Sequence, residues 1–141
     1  MNNLTSDVEV ALRASLLAAA GGVPIIGVNL PVGVEPQEVY MSRAVLYTDR
    51  RAVSMGDGGE DELRGIFQVD INSPPEVDLS TGSKIVDRIL DYFYAGRKLA
   101  AGSGVVYVRR SVPSSERRGD TGTVTKSVSV YWFSRSFRRL P

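Results

Sequence analysis

Two adjacent prolines, Pro74-Pro75, separate a period-two run from a helical run, and that junction constrains the fold more than any other feature of the chain. Ahead of it, Phe67, Val69 and Ile71 alternate with Gln68 and Asp70, the spacing of a half-buried strand. Proline has no amide hydrogen to give a sheet ladder, so this strand is predicted to end near Ser73. Beyond the prolines, Ile85, Val86, Ile89, Leu90, Tyr92 and Phe93 recur at helical spacing, with Lys84, Asp87, Arg88 and Asp91 on the other side. A helix from about Thr81 to Ala95 is predicted, with Ser80, Thr81 and Ser83 as candidate N-caps and Gly96 as its positive-φ end. Gly96-Arg97-Lys98-Leu99 then reads as a turn, and Val105-Val106-Tyr107-Val108 resumes strand character.

The flanking segments extend this pattern. Leu4 to Ala20 reads as a helix, with Leu4, Val8, Ala11, Leu12, Ser15, Leu16 and Ala19 as its buried stripe, Ser6-Asp7-Val8-Glu9 as a capping box and Gly21-Gly22 as its end. Ile25 to Leu30 is a short apolar strand, and Glu38 to Tyr47 a longer one with neither face cleanly polar. Asp49 to Glu62 and Pro113 to Gly122 are predicted as two mobile loops from their glycine, proline and charge content. The last strand alternates Val124, Lys126, Val128, Val130 and Trp132, predicted to face the helices, with Thr125, Ser127, Ser129, Tyr131 and Phe133. Together these elements predict a single α/β (α+β) domain over residues 1–141: a mostly antiparallel sheet of four to five strands with two helices packed on one face.

Composition narrows the chemistry. The 141 residues include neither cysteine nor histidine, which removes disulfides, thiolate nucleophiles, zinc-thiolate sites and the usual general base. Gly56-Asp57-Gly58 lacks the Lys-Ser/Thr of a phosphate-binding loop, and Gly56 to Glu62 lacks the alternating oxygen ligands of an EF-hand. Single carboxylates such as Asp70 and Asp91 sit at polar positions of amphipathic elements, where solvation is their usual fate. We therefore expect no enzyme, no catalytic residue, no cofactor and no metal. No apolar run reaches the roughly 20 residues that a bilayer span needs, and Asp7, Glu9 and Arg13 interrupt the first helix in a way a signal peptide would not.

Charge is unevenly placed along the chain. Residues 1–96 hold 7 Lys and Arg against 14 Asp and Glu, whereas residues 97–141 hold 10 against 2. If the final two strands lay at one end of the sheet, each subunit would present a basic and an acidic flank suited to head-to-tail contact; if strands of both halves interleave, the charges mix. Tyr131, Phe133, Arg135 and Phe137 share one side of the last strand and are the candidates for a subunit interface, since aromatic and arginine side chains are enriched in interface cores. The alternative, that these rings fold back over the domain's own rim, is open at this stage because period does not say which face is covered. Arg50, Arg51, Arg109, Arg110, Arg117 and Arg118 are candidates for contact with a partner protein or with DNA phosphates, as are Arg138 and Arg139 for DNA.

The Gly65-x-Phe67-Gln68-Val69-Asp70 strand, the Pro-Pro break, a helix ending Tyr92-Phe93-Tyr94-Ala95-Gly96, the Arg97-Lys98-Leu99 segment and the Val106-Tyr107-Val108 strand resemble the tail terminator-like proteins of long-tailed bacteriophages. The resemblance extends to the first helix with its Val23-Pro24-Ile25-Ile26-Gly27-Val28-Asn29-Leu30-Pro31 sequel, and to the closing Val130-Tyr131-Trp132-Phe133-Ser134-Arg135. It implies a structural virion-assembly protein that forms a ring, in that family commonly a hexamer, caps the tail tube, ends its elongation and provides the joint to the head. The implied partners are further copies of itself, the tail tube protein and the head-tail connector, with non-specific contact to DNA in the lumen and none to membrane. The implied location is the tail end at the head-tail junction, and the host cytoplasm during assembly. Two other readings stand beside it: a head-tail connector or neck adaptor, and a weak DNA-binding module using the C-terminal arginines. A pI of about 8.0 is low for a dedicated DNA-binding domain.

Overall fold

The computed structural model describes residues 4–25, 38–53, 59–75, 77–102, 104–119 and 122–137. Their order is α1 (Leu4–Ala20), β1 (Tyr40–Ala52), β2 (Glu60–Ser73), α2 (Leu79–Tyr92), β3 (Lys98–Ala101), β4 (Gly104–Pro113), β5 (Arg117–Arg118) and β6 (Val124–Phe137). The strands form one antiparallel sheet in the order β1-β2-β6-β4-β3, with the two-residue β5 also paired to β6. This is the α+β architecture read from the sequence, with β3, where a turn is expected, and β5 added to the expected strands.

One face of the sheet is covered by both helices. Phe67, Val69 and Ile71 of β2 and Val128, Val130 and Trp132 of β6 are buried on that side. From α1, Val8, Leu12, Leu16 and Ala20 enter the same core, and from α2, Ile85, Val86 and Ile89. Ala19 of the predicted stripe is only half-buried, and Ala20 takes its place. Phe93, just after α2, meets Phe67 with ring centroids 6.2 Å apart. Gly82 lets α2 lie close on the sheet, since a β-carbon there would come within 3.0 Å of Ser73 Oγ.

Several boundaries differ from expectation, each for a local reason. Asp78, not Ser80, Thr81 or Ser83, caps α2: its Oδ1 accepts from the Ser80 amide at 2.9 Å, so the helix begins two residues early. That helix stops at Tyr92, where the Phe93 amide bonds to the Ile89 carbonyl and the Arg97 guanidinium both lies 3.8 Å over the Tyr92 ring and donates to its carbonyl. Gly96 does have positive φ, but its amide donates to Val108 O and so joins the sheet instead of ending the helix. In α1, Ser6 lies inside the first turn, and Glu9 accepts from Tyr47 Oη at 2.6 Å instead of completing a capping box. Ile25 makes a lone parallel bridge to Met41, and the rest of the predicted Ile25 to Leu30 strand lies outside the described residues.

Both predicted loops contain paired strand residues. β1 runs on through Asp49, Arg50, Arg51 and Ala52, and β2 already begins at Glu60, because the opposed charges pair across the hairpin: Arg50 with Asp61 at 3.3 Å and Arg51 with Glu62 at 3.0 Å. Within the other, Pro113 belongs to β4, and Arg117-Arg118 pair with Thr125 and Val124. Arg117 is held there by Ser127 Oγ at 3.1 Å and by Asp70, while Glu116 pairs with Lys126.

The expected flanks of opposite charge do not form. β6 lies at the middle of the sheet, where Arg135 meets Glu62 of β2, and Arg117 of β5 meets Asp70, so the two halves of the chain neutralise each other along the β2–β6 seam. The edge strand of the acidic half, β1, itself carries Arg43, Arg50 and Arg51.

Candidate interaction surface

The helix-free face of the sheet follows from the pairing register, because directly opposed residues share a face. Across β1, β2, β6 and β4, Leu46, Ile66, Tyr131 and Arg110 form one row. The next row holds Asp49, Arg64, Phe133 and Tyr107, and the one beyond it Arg51, Glu62 and Arg135. Tyr131, Phe133 and Arg135 therefore do project together on the uncovered side. Phe137 is opposite Glu60 in the backbone ladder, and its side chain lies outside the described residues.

At the centre of the lowest row is a carboxylate, Glu62, which the sequence reading places in a solvated loop. The Glu62 side chain is only 2% exposed, although it points away from the helices. Three arginines cover it: Arg64 Nε at 2.9 Å and Arg51 Nε at 3.0 Å on Oε2, and Arg135 Nε at 3.4 Å on Oε1. Burial alone would raise the Glu62 carboxyl, but the hydrogen bonds and charges of Arg64 and Arg51 outweigh it and hold the group below the usual carboxylate range. The arginines remain between 31% and 53% exposed, so each presents unused N–H donors outward from a fixed anchor.

Aromatic rings extend the platform. Tyr107 and Phe133 stack with centroids 5.0 Å apart and planes 14° from parallel. Arg110 lies 4.3 Å over Tyr131, Arg135 5.7 Å over Phe133 and Lys98 5.8 Å from the Tyr107 ring centre. A depression of about 410 Å³ opens beside them, lined by Tyr107, Phe133, Arg135, Glu60, Gly104 and Val105. The same face adds exposed Leu46 and Val112. Guanidinium groups held by ring faces and a buried carboxylate are pre-ordered, which lowers the cost of docking.

The sheet is bent beneath this platform. Gly65 lies opposite Trp132, whose ring fills the space a side chain would need: an added β-carbon would be 2.5 Å from Trp132 Cζ2 and 2.6 Å from the Leu46 carbonyl. Register shifts bracket that row, between Tyr47 and Asp49 in β1 and between Val108 and Arg110 in β4. Bulges of this kind sharpen twist and re-aim side chains. Trp132 is buried on the helix side with Tyr47 edge-on at 6.0 Å, and its Nε1 has no hydrogen-bond partner among the described residues. Burial and the hydrogen bond to Glu9 push the Tyr47 hydroxyl well above its ordinary value.

The remaining candidates separate. Arg51 and Arg110 join the platform; Arg50 points to the helix side on Asp61; Arg109 occupies the β4 bulge; Arg117 and Arg118 lie on β5 at the other end of the sheet. Arg138 and Arg139 lie outside the described residues. Sequence reading missed Glu62, Arg64 and Tyr107. Carrying the period-two pattern of β2 back through Arg64 and Glu62 would have found the first two. Among the described residues, no group of three or more Asp and Glu is arranged to hold a metal ion, and no helix is long and apolar enough to cross a membrane.

Residues 7–132 match a family model described as phage tail terminator protein. No curated protein matches the chain. Among solved structures, one superposes with a TM-score of 0.65 at 16% identity, covering 99% of this chain and 99% of its own. A chain from the virion of a native gene transfer agent particle superposes with a TM-score of 0.55 at 13% identity, covering 97% of this chain and 99% of that one. At such identities the likeness is one of fold.

Proposed function

The chain belongs to the phage tail terminator protein family, a family of structural tail proteins, and from that premise we propose that it assembles into a ring, a hexamer, that caps the tail tube. In this reading the ring ends tube elongation, provides the joint to the head and makes or breaks no covalent bond. Its partners are further copies of itself, the tube protein and the head-tail connector, met at the head-tail junction after assembly in the host cytoplasm. The carrying observation is the helix-free face, with stacked Tyr107 and Phe133 and arginines ordered around Glu62, on a sheet whose other face packs its core against the helices. Such a face has the composition of an interface core, and Tyr131, Phe133 and Arg135 are its subunit-contact residues. A terminator further needs one surface that fits the last tube ring and another that recruits no more tube subunits.

Light-scattering mass and negative-stain images of the purified chain test the ring, and tube lengths polymerised with and without it test the cap. Closed rings and shortened, uniform tubes are expected. A monomer at every concentration, with tube lengths unaffected, would overturn the reading. A subsidiary role for DNA contact in the lumen is favoured by Arg109 and Arg118, exposed and without acidic partners among the described residues. A log-affinity slope against log salt near zero would exclude it.

A further inference from the structure

On the outer side of α2, Asp87 and Asp91 stand one turn apart, exposed and without an ion-pair partner among the described residues. Tyr94 follows them at 55% exposure. Lys84 and Arg88 share that side of the helix, so the surface is a pair of carboxylates set among cations and not a uniform acidic field. On the opposite layer, Arg51, Arg64 and Arg135 divide a single buried carboxylate, and Arg110 rests on Tyr131 with no acid against it. The one layer holds two exposed carboxylates one turn apart and the other holds ordered arginine donors.

Resting on the ring reading, we propose that the helix-free sheet face of one copy docks on the outer face of α2 of the next, setting Arg110 and the arginines around Glu62 against Asp87 and Asp91. Three observations favour this occupant. A polyanion fits the platform poorly, because Asp49, Glu60, Glu62 and Asp70 are on the same face as the arginines. Edge-to-edge pairing of sheets would bring like charges together, Arg43, Arg50 and Arg51 of β1 against Lys98, Arg109 and Arg110 of β3 and β4. The two patches lie on opposite layers of one domain, so their contact is heterologous, as a ring of identical copies requires, and closes where the rotation between copies closes.

A mixing experiment tests the contact. Arg110→Glu sets acid against acid at every interface of its own assembly, and the double change Asp87→Lys, Asp91→Lys sets base against base. Each protein alone should require at least about tenfold higher concentration to assemble in sedimentation velocity. An equimolar mixture should assemble like the parent, because alternating copies restore opposite charges at both kinds of contact. Unchanged melting temperatures certify the folded state of each, and Lys98→Glu serves as a second sheet-face variant should Arg110→Glu melt early. Rings indifferent to both reversals, or a mixture no better than its components, would overturn this contact while leaving the ring reading intact. A parent chain that is monomeric at all concentrations and never caps tubes would instead remove the reading beneath it. Loss of binding to a DNA duplex by Arg110→Glu with assembly unaltered would reassign the platform to nucleic acid.

Discussion

Single side chains set the sharpest constraints on this sheet. Glu62 ionises more readily in the folded chain than in the unfolded one, so its contribution to stability is complete above the ordinary carboxylate pKa of about 4.3 and is lost as pH falls through the lower folded value. Glu62→Gln leaves three arginines without their counter-charge. Breaking a wholly buried pair costs about 3–5 kcal/mol, and the half-exposed arginines here reduce that to roughly 2 kcal/mol at neutral pH. Denaturant melts across pH should therefore show a gap between parent and variant at pH 7 that closes toward pH 3, and a constant gap would refute the ion-pair account. Gly65 is constrained by space instead of charge, since the Leu46 carbonyl that an added methyl would strike is backbone and has little room to give. Gly65→Ala should lose about 1–3 kcal/mol or more and shift the emission of Trp132, the one tryptophan in the chain.

At the scale of elements, what was legible in the sequence was whatever a period reports. The alternation of Phe67, Val69 and Ile71, the arm Val128, Val130, Trp132 and, from the helical stripe, Ile85, Val86, Ile89 and Phe93 bury as their spacing requires, while Leu90 and Tyr92 are partly buried. The misread stretches were those where charge pairs across strands. Asp49 to Glu62 looks like a solvated loop because its residues are ionic, yet Arg50–Asp61 and Arg51–Glu62 are cross-strand partners that a one-dimensional reading has no means of opposing. The platform was half-visible for the same reason: Tyr131, Phe133 and Arg135 follow from alternation in β6, but their neighbours Tyr107, Arg64 and Glu62 come from two other strands set beside it only by register. Helix ends were displaced by competing hydrogen bonds, Asp78 taking the cap from the serines and threonine after it. Its carboxyl is held below its ordinary value by the bonds from Ser80, first the backbone amide, with help from Lys84. Asp78→Ala should lower the melting temperature, whereas Asp78→Asn should retain most of it; equal losses would assign the effect to charge at the helix N-terminus alone.

For the molecule as a whole, the decisive fact is that the last strand in sequence is the middle strand of the sheet. β6 pairs along its length with β2 and also with β4 and β5, so it joins the β1–β2 hairpin to the β3–β4 hairpin. It contributes Trp132, Val128 and Val130 to the core between sheet and helices and Arg135 to the platform. Partners such as Phe67 and Val130 are distant along the chain, and loop closure of that order must precede the contacts that reward it, which places folding in the slow range of antiparallel β topologies. Without β6, β2 and β4 become open edges and one face of α2 loses its floor. A chain ended at Pro113 should therefore show no cooperative thermal transition, because neither hairpin buries enough apolar surface by itself. A chain lacking only the residues after Phe137 should melt like the parent, since β6 is then whole. Cooperative unfolding of the shorter chain, followed by far-ultraviolet circular dichroism, would mean that the two hairpins with their helices are independent units and that β6 serves the outer platform more than the fold.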